Sequence, residues 1–380
     1  MKKQARLLTA AITLGALTAL SGCGGSGGES EESANWRSAT SVEDGGGMDA
    51  LVEAAQAEGS LNVMGLFPDW ANYGGLLDAF SDKYDIEINN DTSTGASQDL
   101  INAVKNRQGQ ETSLDYLDTG ESFAVDADEE GLLAEYHPAT ADDLPDNMKS
   151  NDGTWYNHLG GTMAIGCDTE AVKKCPTSFE ELLGSEYKGK VAMRGNPTTG
   201  EAGFMAVFAA SLANGGSLDD IEPGIDYFKQ LSDKGNLVPT EAEAGTIETG
   251  ETPIVVNWDY LLLQWADDLS DSGIDLSVDV PSDGTVASYY AASLNEDAPH
   301  PAVARLWQEF VFSDEGQNLL LDGYVLPGRL DAMVKADTVD EDSLSKLLDD
   351  SVDQEAPQPT QEQRDAQAEV LADKWAEAVG

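Results

Sequence analysis

The chain has 380 residues, and its 70 Asp and Glu outnumber 21 Lys and Arg to give a formal charge of −49. That balance excludes a nucleic-acid-binding role, which needs a basic footprint. The acids are spread along the whole chain as on a solvated surface, so they bear on solubility and do not by themselves argue for a cationic ligand.

The N-terminus reads as a targeting segment. Lys2, Lys3 and Arg6 precede an apolar run, Leu7 to Leu20, that is too short to span a bilayer comfortably. Leu20-Ser21-Gly22-Cys23 then resembles the bacterial lipobox, which implies a signal peptide over 1–22 and acylation of Cys23. Residues 23–47 are rich in Gly, Ser and Glu and poor in large apolar side chains, so a flexible tether is expected there. About 330 residues remain, enough for one large domain or two lobes. With Cys23 lipidated, Cys167 and Cys175 are left as a pair in an oxidising compartment, which favours a local disulfide. A metal site is the rival, weakened because no His or further Cys lies nearby.

Strand and helix patterns then alternate. Ser60–Met64 reads as a buried strand. Tyr73, Leu76, Leu77, Phe80 and Tyr84 follow at helical spacing, then a strand at Ile86–Ile88, a helix over Ser97–Arg107 and a strand at Leu114–Leu117. This βαβαβ order predicts a parallel sheet. The pattern restarts after Gly160, with strands at Thr162–Ile165, Val191–Met193, Ile254–Val256 and Val286–Leu294. Helices are expected at Phe179–Leu183, Ala202–Asn214, Tyr260–Asp268 and Pro301–Phe312, and an acidic helical region closes the chain. Two α/β lobes in one exported chain suggest a clamshell with its site at the carboxyl ends of the strands.

A series of short stretches carries a family likeness. Gly59-Ser-Leu-Asn-Val-Met-Gly65, Tyr187-Lys-Gly-Lys-Val-Ala192 and Gly195-Asn-Pro-Thr-Thr-Gly200 come first. Ala298-Pro-His-Pro-Ala302, Trp307-Gln-Glu-Phe310, Ser313-Asp-Glu-Gly-Gln317 and Gly323-Tyr-Val-Leu-Pro327 follow in order. Together they resemble the solute-binding proteins of ABC importers, in the two-lobe (type II) group that includes iron(III), thiamine, polyamine and aminophosphonate binders. The likeness spans residues 58–330. It implies an α/β clamshell of the periplasmic-binding-protein kind, with mixed sheets, a hinge and closure around a ligand. Lobe one would hold 58–158 and 285–330, lobe two 160–284, and residues 331–380 would pack back on lobe one. The implied partners are a small-molecule ligand, an ABC permease with its ATPase, and the outer membrane face through the lipid anchor. A monomer without a cofactor is the family default.

Candidate ligand contacts follow strand ends. Thr94, Gly95 and Ser97 lie in a turn that opens a helix, where free backbone N–H groups favour an anion or an electron-rich oxygen. Thr198 and Thr199 lie in a second such turn, bent by Pro197 and Gly200. Glu121 follows the third strand. Trp258, Asp259 and Tyr260 follow Ile254–Val256, an arrangement suited to a cation, with a ring face and a carboxylate. Of Tyr289 and Tyr290, strand alternation lets one reach the cleft. Trp155 and Trp70 are further cleft candidates. Iron-binding relatives place two adjacent Tyr where this chain has Trp258 and Asp259, so the residues lean towards an organic amine (polyamine-like) or an aminophosphonate, with iron(III) or thiamine as alternatives. No metal-ligand spacing, nucleophile elbow, P-loop or dinucleotide fingerprint is present in the sequence, so a hydrolase is the least favoured reading and a ligand-sensing lipoprotein the nearer rival.

Overall fold

The structure is a computed structural model that describes residues 31–351 and 356–379. The leader and the lipobox Cys23 lie outside the described residues. Nine strands are present among them: β1 Ser60–Met64, β2 Glu87–Asp91, β3 Tyr116–Gly120, β4 Trp155–Asp168, β5 Val191–Met193, β6 Ile254–Trp258, β7 Leu276–Asp279, β8 Ala287–Leu294 and β9 Leu326–Pro327. β1 and β2 pair in parallel, as the βαβ order predicts, but β3 runs antiparallel to β8. The larger sheet has the order β3-β8-β4-β6-β5, with β7 and β9 also on β4. Only β5 and β6 are parallel within it.

β4 is fourteen residues long and buried throughout. Its first half pairs with β8 and β9, and its second half with β6 and β7. One strand therefore belongs to both lobes, and β8 crosses beside it. The pairing shifts register between Asn157 and Leu159, so His158 sits at an irregularity of the kind that re-aims a side chain. Two glycines follow because neighbours come too close for a side chain. A Cβ on Gly160 would lie 2.3 Å from the Tyr289 ring, and one on Gly161 would lie 2.5 Å from both Asp259 and Tyr260.

In lobe one, the helix Tyr73–Tyr84 buries Tyr73, Leu76, Leu77 and Phe80, a single apolar stripe. The helix Ser97–Asn106 buries Leu100, Ile101 and Val104 in the same way. In lobe two, the helix Glu201–Ala213 is buried from Gly203 to Ser211 and packs against Glu222–Asp233. The helix Pro301–Val311 is buried at every position. Pro301 opens it without wasting an N–H, and Glu58 Oε2 accepts from the N–H groups of Ala302 and Val303, each at 2.9 Å. Cys167 and Cys175 form a disulfide at the far end of β4.

Two expectations are corrected. The tether does not extend to residue 47. Residues Glu31–Ser38 and Val42–Gly45 are helical, and Trp36, Ala39 and Val42 enter the main core. Arg305 fixes this segment through Nε to the Ala39 carbonyl and Nη2 to the Arg37 carbonyl, each at 2.9 Å. A few anchoring side chains outweigh a composition that is polar on average. Second, the C-terminal residues divide between the lobes. Leu347 joins Leu321, Leu326 and Leu330 of lobe one. The last helix, Gln361–Val379, packs mainly on Glu222–Asp233 of lobe two, with Trp375 edge-on to Phe228 at 5.7 Å, and also meets Glu121–Glu129 of lobe one. No described helix is long and apolar enough to cross a membrane.

Trp36 is 2% exposed. Trp36→Ala is therefore expected to cost about 3–5 kcal/mol of unfolding free energy in urea titration, whereas a detached tether would give no measurable loss.

Candidate functional site

Between the lobes lies a group of aromatic side chains around a buried acid. Trp70 stacks on Tyr73 with ring centroids 5.6 Å apart. It meets Tyr260 of lobe two at 6.1 Å and Tyr290 of β8 at 5.1 Å, both edge-on. The loop that presents Trp70 is strained. Ala71 and Asn72 take positive φ angles of 51° and 56°, a conformation that costs of order 1–3 kcal/mol for residues with side chains. Asn72 Nδ2 holds the loop by donating to the Leu319 carbonyl at 2.8 Å, and Gln264 of lobe two donates to the Asp69 carbonyl at 2.6 Å.

Asp118 lies on β3 beneath these rings, with its side chain 3% exposed. Its Oδ2 is hydrogen-bonded to the Tyr73 hydroxyl, which also lies 2.8 Å from His158 Nε2. His158 Nδ1 is 2.9 Å from the Tyr290 carbonyl. A carbonyl only accepts, so Nδ1 donates to it. The Tyr73 hydroxyl donates to Asp118 Oδ2, which favours the ionised acid. Burial acts in the opposite direction. It pushes the Asp118 carboxyl up to about 7 and holds His158 neutral, down to about 3. The other carboxyl oxygen, Oδ1, is buried and has no hydrogen-bond partner among the described residues.

Beside Tyr290 is a second acidic group. Glu121 opens the helix after β3, and its Oε2 accepts from Asn157 Nδ2 at 2.6 Å and Gln358 Nε2 at 2.9 Å. Burial raises its carboxyl above the usual range. Glu201 opens the helix after β5 and pairs with Arg364, whose Nη2 also donates to Ser288 at 2.8 Å.

The sequence candidates separate on this frame. Tyr260 and Tyr290 reach the aromatic group, as does Trp70. Tyr289 points to the opposite face of β8, against Met148 and Ala356. Trp258 stacks on Tyr260 at 6.3 Å but is 2% exposed. Asp259 is spent on structure: Oδ1 accepts from the Thr162 and Tyr260 N–H groups at 3.0 and 2.8 Å, and Oδ2 from the Thr162 hydroxyl at 2.9 Å. Trp155 packs in the core of lobe one with Met64, Leu117 and Leu133, which corrects its placement in the cleft. The two turns largely satisfy themselves. Thr94 Oγ1 donates to Asp99 and accepts from Ala96 N–H, and the Thr198 N–H and hydroxyl both donate to Asn196 Oδ1. Thr199 N–H donates to the Asn196 carbonyl, Ser97 Oγ accepts from Gly120 N–H, and the Phe67 ring fills the space beside Gly95. Sequence reading missed Asp118, Tyr73 and His158. Nothing local marks Asp118, since a strand reading that stops at Leu117 leaves it out.

An open groove of about 680 Å³ lies elsewhere, lined by Ser60, Asn62, Asn90, Arg107 and His300 among others, and shares no residue with the aromatic group. Ser60 and His300 line it with the buried Asp115 behind them, with Ser60 Oγ 3.3 Å from Nε2 and Asp115 Oδ2 2.9 Å from Nδ1. Asp115 also accepts the N–H groups of Asn62 and His300, at 2.7 and 2.8 Å. It therefore braces β1 and the start of the helix at Pro301 to the chain entering β3.

Residues 117–354 match the family of bacterial extracellular solute-binding proteins. No curated protein sequence matches the chain significantly. The fold is similar to solved structures of low identity. Iron-bound HitA from Pseudomonas aeruginosa aligns at TM-score 0.63 and 20% identity, over 84% of this chain and 99% of that one. The spermidine/putrescine ABC transporter protein PotD from Streptococcus pneumoniae gives 0.62 and 14%, over 84% and 99%. AfuA from Actinobacillus pleuropneumoniae, with fructose-6-phosphate bound, gives 0.62 and 19%, over 84% and 98%.

Asp259→Ala strands two buried N–H groups. It is expected to lose about 1–3 kcal/mol of stability per stranded donor in chemical denaturation, and an unchanged midpoint would return Asp259 to the list of free ligand contacts.

Proposed function

The chain belongs to the family of bacterial extracellular solute-binding proteins, and on that footing we propose that it is the capture component of an ABC importer for a small organic ammonium ligand. The observation that carries this reading is Asp118 Oδ1, a buried carboxyl oxygen without a hydrogen-bond partner among the described residues, beneath Trp70, Tyr73, Tyr260 and Tyr290. Ring faces and a desolvated carboxylate are the two groups that recognise an ammonium. An aminophosphonate is less well served, because part of the donor set of the turns that would hold its anion is spent internally. Fe(III) is less well served because the adjacent Tyr pair of iron-binding relatives is replaced here by Trp258 and Asp259. The sequence around Cys23 fits attachment to the outer membrane face, and the lobes joined through β4 and β8 fit closure about a hinge.

The test is a thermal-shift screen with primary amines, amino acids, aminoethylphosphonate, thiamine and Fe(III) citrate. A ligand at 100 times its Kd stabilises the native state by about 2.7 kcal/mol, and the reading requires the amines to give the shift. A shift confined to Fe(III) or phosphonate would overturn it.

The reading also fixes a pH dependence. With its folded carboxyl raised to about 7, Asp118 stabilises the ligand-free fold most below its unfolded value of about 4, and that contribution is lost as pH rises through about 7. Amine binding needs the ionised form and so has the opposite slope. Affinity is expected to fall about tenfold per pH unit below about 7 and to level off above it. Asp118→Asn should weaken binding and flatten the profile in isothermal titration.

A further inference from the structure

Residues 356–379 lie beyond the part of the chain that matches the family, yet they reach the cleft. The last helix is fixed on lobe two: Gln367 accepts from the Ile221 N–H and donates to the Asp219 carbonyl, each at 3.0 Å, and Leu371 is fully buried. The chain leading into it lies along the strands shared by the lobes. Ser351 Oγ is 3.3 Å from Thr162 Oγ1, and the Pro357 carbonyl accepts from the Ala287 N–H at 3.0 Å. Gln358 then gives its amide to Glu121, and Arg364, only 5% exposed, gives its guanidinium to Glu201 and Ser288. Ser288 is two residues from Tyr290 on the same strand, so both side chains face the cleft.

This segment therefore supplies partners to both acids at one end of the site, a neutral amide to Glu121 and a cation to Glu201. At the other end Asp118 keeps an unpartnered oxygen. We propose that Arg364 is a specificity-determining residue: it occupies Glu201 in place of a second ligand ammonium and so restricts the site to ligands that carry a single ammonium group. The proposal rests on the amine reading and narrows it. A diamine seated with one end against Asp118 brings its other charge towards Arg364, where like charges repel in a partly desolvated setting. A monoamine of the same length presents only methylenes there.

Isothermal titration of the full mature chain with butylamine and pentylamine, against putrescine and cadaverine, tests this. The wild type is expected to bind each monoamine at least tenfold more tightly than the matched diamine. Arg364→Met, which keeps length and removes charge, should move that ratio at least tenfold towards the diamines by freeing Glu201. Arg364→Lys should restore the wild-type preference, separating charge from any structural effect of the substitution, and circular dichroism reports folding of each variant. Tighter binding of diamines by the wild type, or an equal ratio in wild type and a folded Arg364→Met, overturns the proposal and leaves the amine reading standing. Failure of all four amines to bind the folded wild type overturns both.

Discussion

Everything in this molecule depends on one strand. β4 pairs on both flanks and belongs to both lobes, so the two halves of the chain cannot be placed independently. Its polar residues are where the strand does something other than hold the sheet. Asn157 reaches Glu121, His158 joins Tyr73 to the Tyr290 carbonyl, and Thr162 is held by Asp259. The glycine pair between them gives up side chains so that Tyr289, Asp259 and Tyr260 can close on the backbone. A hinge built this way positions the site as well as joining the lobes.

The electrostatics of the cleft follow from that crowding. The net charge of the chain says little about the ligand, because most of the acids are surface groups. A few carboxyls have been taken out of water: Asp118, Glu121 and Asp259 are all raised, with burial the leading cause in each. Their fates differ by partner. Asp259 is covered by hydroxyl and N–H donors, Glu121 by two amides, and Asp118 on one oxygen only. Desolvated carboxyls without enough donors are expensive, and a site that binds a cation can hold that cost until the ligand arrives.

Much of the fold was legible in the residues. Ser60–Met64, Val191–Met193 and Ile254–Val256 announce themselves as short apolar runs, and the helices at Tyr73 and Pro301 by their stripes. β4 was read as Thr162–Ile165 because Asn157, His158, Gly160 and Gly161 break any strand pattern, although it is these residues that carry the site. Tyr260 could be nominated from a strand end, Tyr290 from the alternation of its strand, and Trp70 only as an isolated aromatic. Asp118 could not, since its meaning comes from Tyr73 and His158, which are distant in the chain on either side. The N-terminal helices were hidden by averaging, because Trp36 is one large side chain in a run of Gly, Ser and Glu. The route of the C-terminal segment was illegible, since Arg364 and Gln358 look like ordinary surface residues of an acidic helix until Glu201 and Glu121 are placed beside them.

The chain of Asp118, Tyr73 and His158 has a consequence for the importer. If the ligand is an ammonium and the pH lies below about 7, its arrival displaces a proton from the acid and replaces one positive charge with another. Capture is then an exchange, and the interior of the loaded protein carries the same charge as that of the empty one. Long-range attraction cannot tell the two states apart. Under those conditions a permease that accepts only loaded carriers would have to read the outline of the closed lobes.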